Sequence, residues 1–150
     1  MIKCQITTTR NQRLTINGIS KLFFKYNRMY FENKLAIPSF GLLHSKVLLG
    51  LFRTKNDKRT GKEVKPKIFI TADIEWSEDD LRDVLVHEMV HMAVWQRGGK
   101  TRNRHDGMFK DICDELEAKY GIRVRKPIIL KKPRRPKLQF LRQCITKLFH

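Results

Sequence analysis

His87-Glu88-Met89-Val90-His91 sets two imidazoles four residues apart with a carboxylate between them. On a helix that separation stacks the two rings on one face about one turn apart, near enough to grip a single ion. Neutral imidazole nitrogen suits zinc, and a catalytic zinc site takes three protein ligands while keeping a further position for water. Bound zinc brings the pKa of that water towards about 7 and polarises a carbonyl. A carboxylate beside the water can take its proton and later pass it to a leaving amine, the role assigned to Glu88. The pattern therefore predicts a zinc-dependent hydrolase whose substrate is a protein, with His87 and His91 as metal ligands.

A third ligand must come from elsewhere in the chain. His105 stands fourteen residues beyond His91, past Gly98-Gly99, where a loop can bend it back to the metal. The Gly-spaced extension of the motif fails, because Val94 occupies the position its glycine requires. Asp111, Asp114, Glu115 and Glu117 would serve a thermolysin-like arrangement, and His44 is a further candidate on an expected strand. His105 is favoured over all of these. Tyr26, Tyr30 or a nearby arginine would have to stabilise the oxyanion.

The elements around these residues follow from periodicity. Ile19, Leu22, Phe23, Tyr26, Tyr30 and Phe31 recur at helical spacing, with Lys21, Lys25 and Arg28 opposite, so an amphipathic first helix is expected to end near Asn33 and Pro38. Phe40 to His44, Val47 to Arg53 and Lys67 to Thr71 are short runs of strand formers, the last two separated by a polar loop from Thr54 to Pro66. They predict a small antiparallel sheet packed against helices. Ser77, followed by Glu78, Asp79 and Asp80, marks the start of the metal-binding helix, which runs to Gly98-Gly99. That helix is apolar almost all round, from Leu81 to Trp95, and belongs in a core. Three titratable side chains in its middle would each need a partner, since burying them unpaired costs several kcal/mol. A third helix from about Asp106 to Tyr120 is closed by Gly121, with a strand at Ile122 to Arg125.

The runs His87-Glu88-Met89-Val90-His91, Trp95-Gln96 and His105-Asp106-Gly107-Met108-Phe109-Lys110 together resemble the SprT-like zinc metallopeptidases, the family of the Spartan-type protease domain. Its signature is H-E-x-x-H followed by a third His in an H-G-x-x-F pattern. Tyr30-Phe31-Glu32-Asn33-Lys34-Leu35 before Pro38, and Leu49-Gly50-Leu51-Phe52-Arg53 before Lys67-Ile68-Phe69-Ile70-Thr71, also look like the family's first helix and strands. The resemblance spans roughly residues 20 to 125. It implies an α+β zincin of the gluzincin kind, zinc on His87, His91 and His105, Glu88 as acid/base, and substrates among DNA-associated or DNA-crosslinked proteins. Asp106 departs from the family's glycine, and the Cys-rich zinc ribbon of many members is replaced by a basic tail.

Composition supports a soluble globular chain: 41% hydrophobic and 31% charged, with one domain's worth of length at 150 residues. The N-terminus lacks the apolar run of a secretory signal, no stretch is apolar enough to span a bilayer, and Cys4, Cys113 and Cys144 form no C-x-x-C pair. A cytoplasmic protein with reduced thiols and no integral membrane contact is the expectation. No phosphate-binding glycine loop and no serine nucleophile elbow occurs, so neither phosphoryl transfer nor serine hydrolysis has support. Trp76 and Trp95 read as core residues.

The formal net charge is +17 and it is concentrated. From Arg123 to the end there are ten Lys or Arg and no Asp or Glu, and Arg97, Lys100, Arg102 and Arg104 form a second acid-free cluster. Such stretches release counterions from a polyanion. Duplex or single-stranded DNA is the expected partner, with Arg102, Arg104, Lys131, Lys132, Arg134, Arg135 and Lys137 in contact. The expected organisation is a peptidase domain over residues 1–125 and a basic tail over 126–150 with a short amphipathic helix at Leu141 to Phe149. The competing reading is a nucleic-acid-binding protein with a structural zinc site and no peptidase activity.

Overall fold

The computed structural model describes residues 13–45, 47–56, 59, 63–99, 105 and 107–124; the expected tail and its terminal helix lie outside them. Among these described residues, three helices and three strands follow in the order α1 (Ile16–Tyr30), β1 (Ser39–Leu43), β2 (Gly50–Asn56), β3 (Glu63–Thr71), α2 (Glu78–Gln96) and α3 (Met108–Tyr120). The class is α+β, as the patterning predicts. No helix among the described residues is long and apolar enough to cross a membrane.

Thr15 caps α1, its hydroxyl oxygen accepting from the Gly18 amide at 3.0 Å. Ile19, Phe23, Tyr26 and Asn27 form the buried stripe of this helix. Beyond it, Glu32 and Asn33 take positive φ angles of 53° and 58°, turning the chain back across the core. The segment that follows has no strand partner, so side chains supply its hydrogen bonds. The Asn27 amide brackets Leu35, donating to its carbonyl at 3.1 Å and accepting from its N–H at 3.2 Å. Gln96, from the end of α2, donates to the Lys34 carbonyl at 2.7 Å and accepts from the Ala36 N–H at 2.9 Å.

The sheet has the order β1-β3-β2 and is mixed, which corrects the antiparallel expectation. β2 and β3 form an antiparallel hairpin, while β1 pairs parallel with β3. The reason is topological: β1 and β2 run in opposite directions, and the hairpin folds β3 between them, so that β3 runs against β2 and along β1. The hairpin is also longer than the apolar pattern suggests, because the pairs Lys55–Val64 and Asn56–Glu63 extend it past an irregularity after Arg53. Ile122 to Val124 is not a strand; Ile122 and Val124 pack half-buried against the core. The third helix starts at Met108, two residues later than expected.

Both helices that cover the sheet lie on one face. Phe23 of α1 meets Phe40 at a ring separation of 5.3 Å, and Phe40 is the partner of Ile68 in the sheet register. From α2, Trp95 approaches Phe52 at 6.3 Å, and Val84 lies under Gly50. Ile68 and Ile70, wholly buried, complete this inner face. α3 in turn packs on α2 through Phe109, Ile112 and Leu116, all buried.

Candidate metal centre and its carboxylate

α2 begins as the acidic pattern dictates. The Ser77 hydroxyl oxygen accepts from the Asp80 N–H at 3.1 Å and donates to the Asp80 carboxylate at 2.7 Å, and Glu78, Asp79 and Asp80 sit at the positive end of the helix dipole. Every residue from Val84 to Val94 is then buried, so His87, Glu88 and His91 lie inside the protein at 2%, 4% and 8% exposure. Sequence spacing puts both imidazoles on one face, and their rings lie 4.9 Å apart.

His105 joins them from the far side of the loop. Its ring lies 4.8 Å from that of His87 and 5.0 Å from that of His91, and its Nε2 is 3.0 Å from His87 Nε2. Gly107 at a φ of 53° helps turn the chain from His105 into α3. One ligand atom from each of the three residues falls within 4.8 Å of the others. A tetrahedral zinc with bonds of about 2.0–2.1 Å places its ligand nitrogens about 3.3 Å apart, so the cluster already has near the required dimensions. Its protonation state fits as well. Burial, assisted by the adjacent His105, lowers the His91 pKa to about 4, so this imidazole is neutral at physiological pH with a lone pair to offer.

Phe109 holds the three rings in place. Its ring centroid is 5.1 Å from that of His87, 4.6 Å from that of His91 and 4.8 Å from that of His105. One buried aromatic from the first turn of α3 thus walls the whole cluster. Chemistry-bearing residue types alone do not point to it, although its place four residues after His105 is a usable signal.

Glu88 faces the sheet. Burial raises its carboxyl pKa to about 8, opposed by a hydrogen bond from the Phe52 backbone N–H of β2. Gly50 makes this approach possible: a Cβ there would stand 2.7 Å from Glu88 Oε1, 2.9 Å from its Cγ and 2.9 Å from Val84 Cγ1. Any larger residue would push the carboxylate away. Gly50 is a functional residue that motif spacing does not reveal, because the close contact exists only once β2 is laid on α2.

The remaining candidates stand apart from the cluster. Glu115 pairs with Arg97 at 3.6 Å and Glu117 with Arg123 at 3.0 Å, while Asp111 and Asp114 are exposed on α3. His44 Nδ1 meets Asp73 at 2.9 Å on the surface. Tyr26 stacks on Tyr30, which meets Tyr120 at the opposite end of α3 from Phe109, about 16 Å along the helix. Tyr30 is therefore not brought to the metal site. Trp76 and Trp95 are half-buried against the core, and Trp76 Nε1 donates to the Thr71 carbonyl at 2.8 Å. The expected nucleic-acid contacts Arg102, Arg104, Lys131, Lys132, Arg134, Arg135 and Lys137 lie outside the described residues.

The sequence profile of the SprT-like family matches residues 19–127 of the chain. No curated protein matches it.

Proposed function

This chain belongs to the SprT-like family, and from that premise we propose that it is a zinc metalloendopeptidase of the gluzincin kind, acting on proteins associated with or crosslinked to DNA. The observation that carries this reading is the pairing of three convergent imidazoles with Glu88, buried on the same helix and aimed at the backbone of β2. His87, His91 and His105 would hold the ion. When bound, zinc supplies Lewis acidity, polarising the scissile carbonyl and acidifying water beside it.

The chain's own groups do the rest. Glu88 accepts the proton of the attacking water and returns it to the leaving amine nitrogen. Its hydrogen bond from Phe52 fixes the carboxylate against β2, an edge strand among the described residues. An extended substrate that pairs with that edge would run past the carboxylate. Residues 1–125 form the peptidase domain in this reading. Arg102, Arg104 and the tail cations Lys131, Lys132, Arg134, Arg135 and Lys137 contact nucleic acid, which places substrate proteins within reach.

Glu88→Gln tests the chemistry. The variant should keep its zinc and its fold while losing cleavage by about 10³-fold or more, the scale of removing a proton-transfer group on which the reaction depends. Equal cleavage by variant and parent would leave only the competing reading, a nucleic-acid-binding protein with structural zinc. His105→Ala tests the ligand set: zinc stoichiometry should fall, and full retention would pass the role to a carboxylate.

A further inference from the structure

The face of the sheet turned away from α1 and α2 has a composition that the peptidase reading does not use. Burial alternates along β3, with Pro66, Ile68 and Ile70 buried, and Lys65, Lys67 and Phe69 turned the other way. The register places Arg53 opposite Lys67, Leu51 opposite Phe69 and Gly41 beside Phe69, so these residues share that outer face. Two cations thus stand directly opposite each other on neighbouring strands, an arrangement that is unfavourable in isolation. Neither Arg53 nor Lys67, nor Lys65, forms an ion pair with a carboxylate among the described residues, and the one acidic residue of the three strands is Glu63, at the first position of β3.

An aromatic ring lies among these cations. Lys67 Nζ sits 4.8 Å from the Phe69 ring centroid. Gly41 provides the space: a Cβ there would come within 2.7 Å of the Phe69 ring and 3.1 Å of Lys67 Cε, so the ring and the lysine stem lie across bare β1 backbone. Phe69 remains partly exposed.

We propose that this outer sheet face, built from Arg53, Lys65, Lys67 and Phe69, binds single-stranded nucleic acid, the cations meeting phosphates and Phe69 stacking on a base. Charge complementarity selects the occupant. The two terminal segments of the chain outside the described residues, 1–12 and 125–150, contain no Asp or Glu, so neither offers a counter-charge to cover the face. A polyanion does, and a flat strand surface with one aromatic among cations suits unpaired bases, whose π-faces can stack. A duplex keeps its bases stacked on one another and would engage the cations alone. The proposal does not depend on the chemistry of His87, Glu88 and His91. It adds to the nucleic-acid side of the proposed function a surface separate from the tail.

The test is binding of a labelled oligothymidylate across a salt series by the 150-residue parent chain, its variants Arg53→Gln/Lys67→Gln, Phe69→Leu and Phe69→Tyr, and a chain ending at residue 125. The double variant should bind more weakly and flatten the salt dependence, lowering its logarithmic slope by about 1.4, or about 0.7 for each of two phosphates released. Phe69→Leu should weaken binding about tenfold while Phe69→Tyr restores it, as stacking predicts. Thermal unfolding of the same variants separates lost binding from lost fold, and the double variant carries the test if Phe69→Leu unfolds. Parent-like affinity and slope in the double variant, with loss confined to the truncated chain, would overturn the sheet site while leaving the tail reading intact. No binding by the parent would overturn both. Equal affinity for polyglutamate would identify the face as a docking site for acidic protein and overturn the nucleic-acid assignment.

Discussion

The two faces of one small sheet show how alternate residues of the same strands serve different demands. On the inner face Gly50, Phe52, Ile68 and Ile70 meet α2, and the tolerance is a few tenths of an ångström because a carboxylate must fit between a helix and a strand. On the outer face Arg53, Lys67 and Phe69 meet solvent, and what matters is charge and an accessible ring. Period-two geometry allows both within nine residues of β3. The inner face should therefore respond to changes of volume and the outer face to changes of charge.

The largest effect is expected where volume is removed from the inner cluster. Phe109→Ala deletes the ring that touches all three imidazoles and should cost about 3–5 kcal/mol in denaturant unfolding, with zinc affinity falling alongside. A loss below about 1 kcal/mol would mean the histidines hold their positions unaided.

A pH-dependent effect should follow at Glu88 in zinc-free protein. Its folded pKa of about 8 lies above the unfolded value of 4.5, so protonation favours the fold. The stability associated with that proton is full below the unfolded value and is lost as pH rises through the folded one. Glu88→Gln cannot lose it. Stability of the variant relative to the parent should thus climb by about 1.4 kcal/mol per pH unit between the two values and level off outside them. Urea titrations with chelator across this range check it, and a constant difference between the two proteins would remove the claim that burial holds the carboxyl neutral.

Glycine substitution compares the faces directly. Gly50→Ala forces a methyl group into Glu88 and Val84 and should cost about 1–3 kcal/mol, with at least a tenfold drop in cleavage. Gly41→Ala meets the half-exposed Phe69 ring, which can swing outward, so the loss should be smaller and cleavage unchanged. The reverse order would refute the contrast between the faces. The smallest effect belongs to charge: Arg53→Gln relieves the like-charge pair with Lys67 and should raise stability by about 0.2–1 kcal/mol at low salt, the gain fading as salt is added.

The legible part of this architecture was carried by short-range pattern. Helical spacing and an acidic start announced α2, and His87 and His91 declared their shared face because both belong to one rigid element. The third imidazole needed more: His105 reaches the other two through a loop whose path no local rule specifies, and only its position after two glycines and the family pattern singled it out. Sheet direction was not legible, since β1 has the same strand-forming character whether it runs along or against β3. The parts Gly50 and Phe109 play in the site were hidden for a related reason, although Phe109 closes the family's H-G-x-x-F pattern. Their roles are contacts between elements, and a glycine's lack of a side chain carries no chemical signature until something is packed against it.

The crossing between α1 and β1 illustrates a different economy of forces. It is fastened by the side-chain amides of Asn27 and Gln96, groups that neither titrate nor attract counterions. Alongside, Glu32 is bound to Lys34 and Lys119, and those lysines hold its pKa down to about 2 on an open surface that salt can screen. In brine the ionic tie slackens while the amide latch keeps its grip, so the first helix should stay registered on the domain under conditions that would strip the proposed polyanion from it.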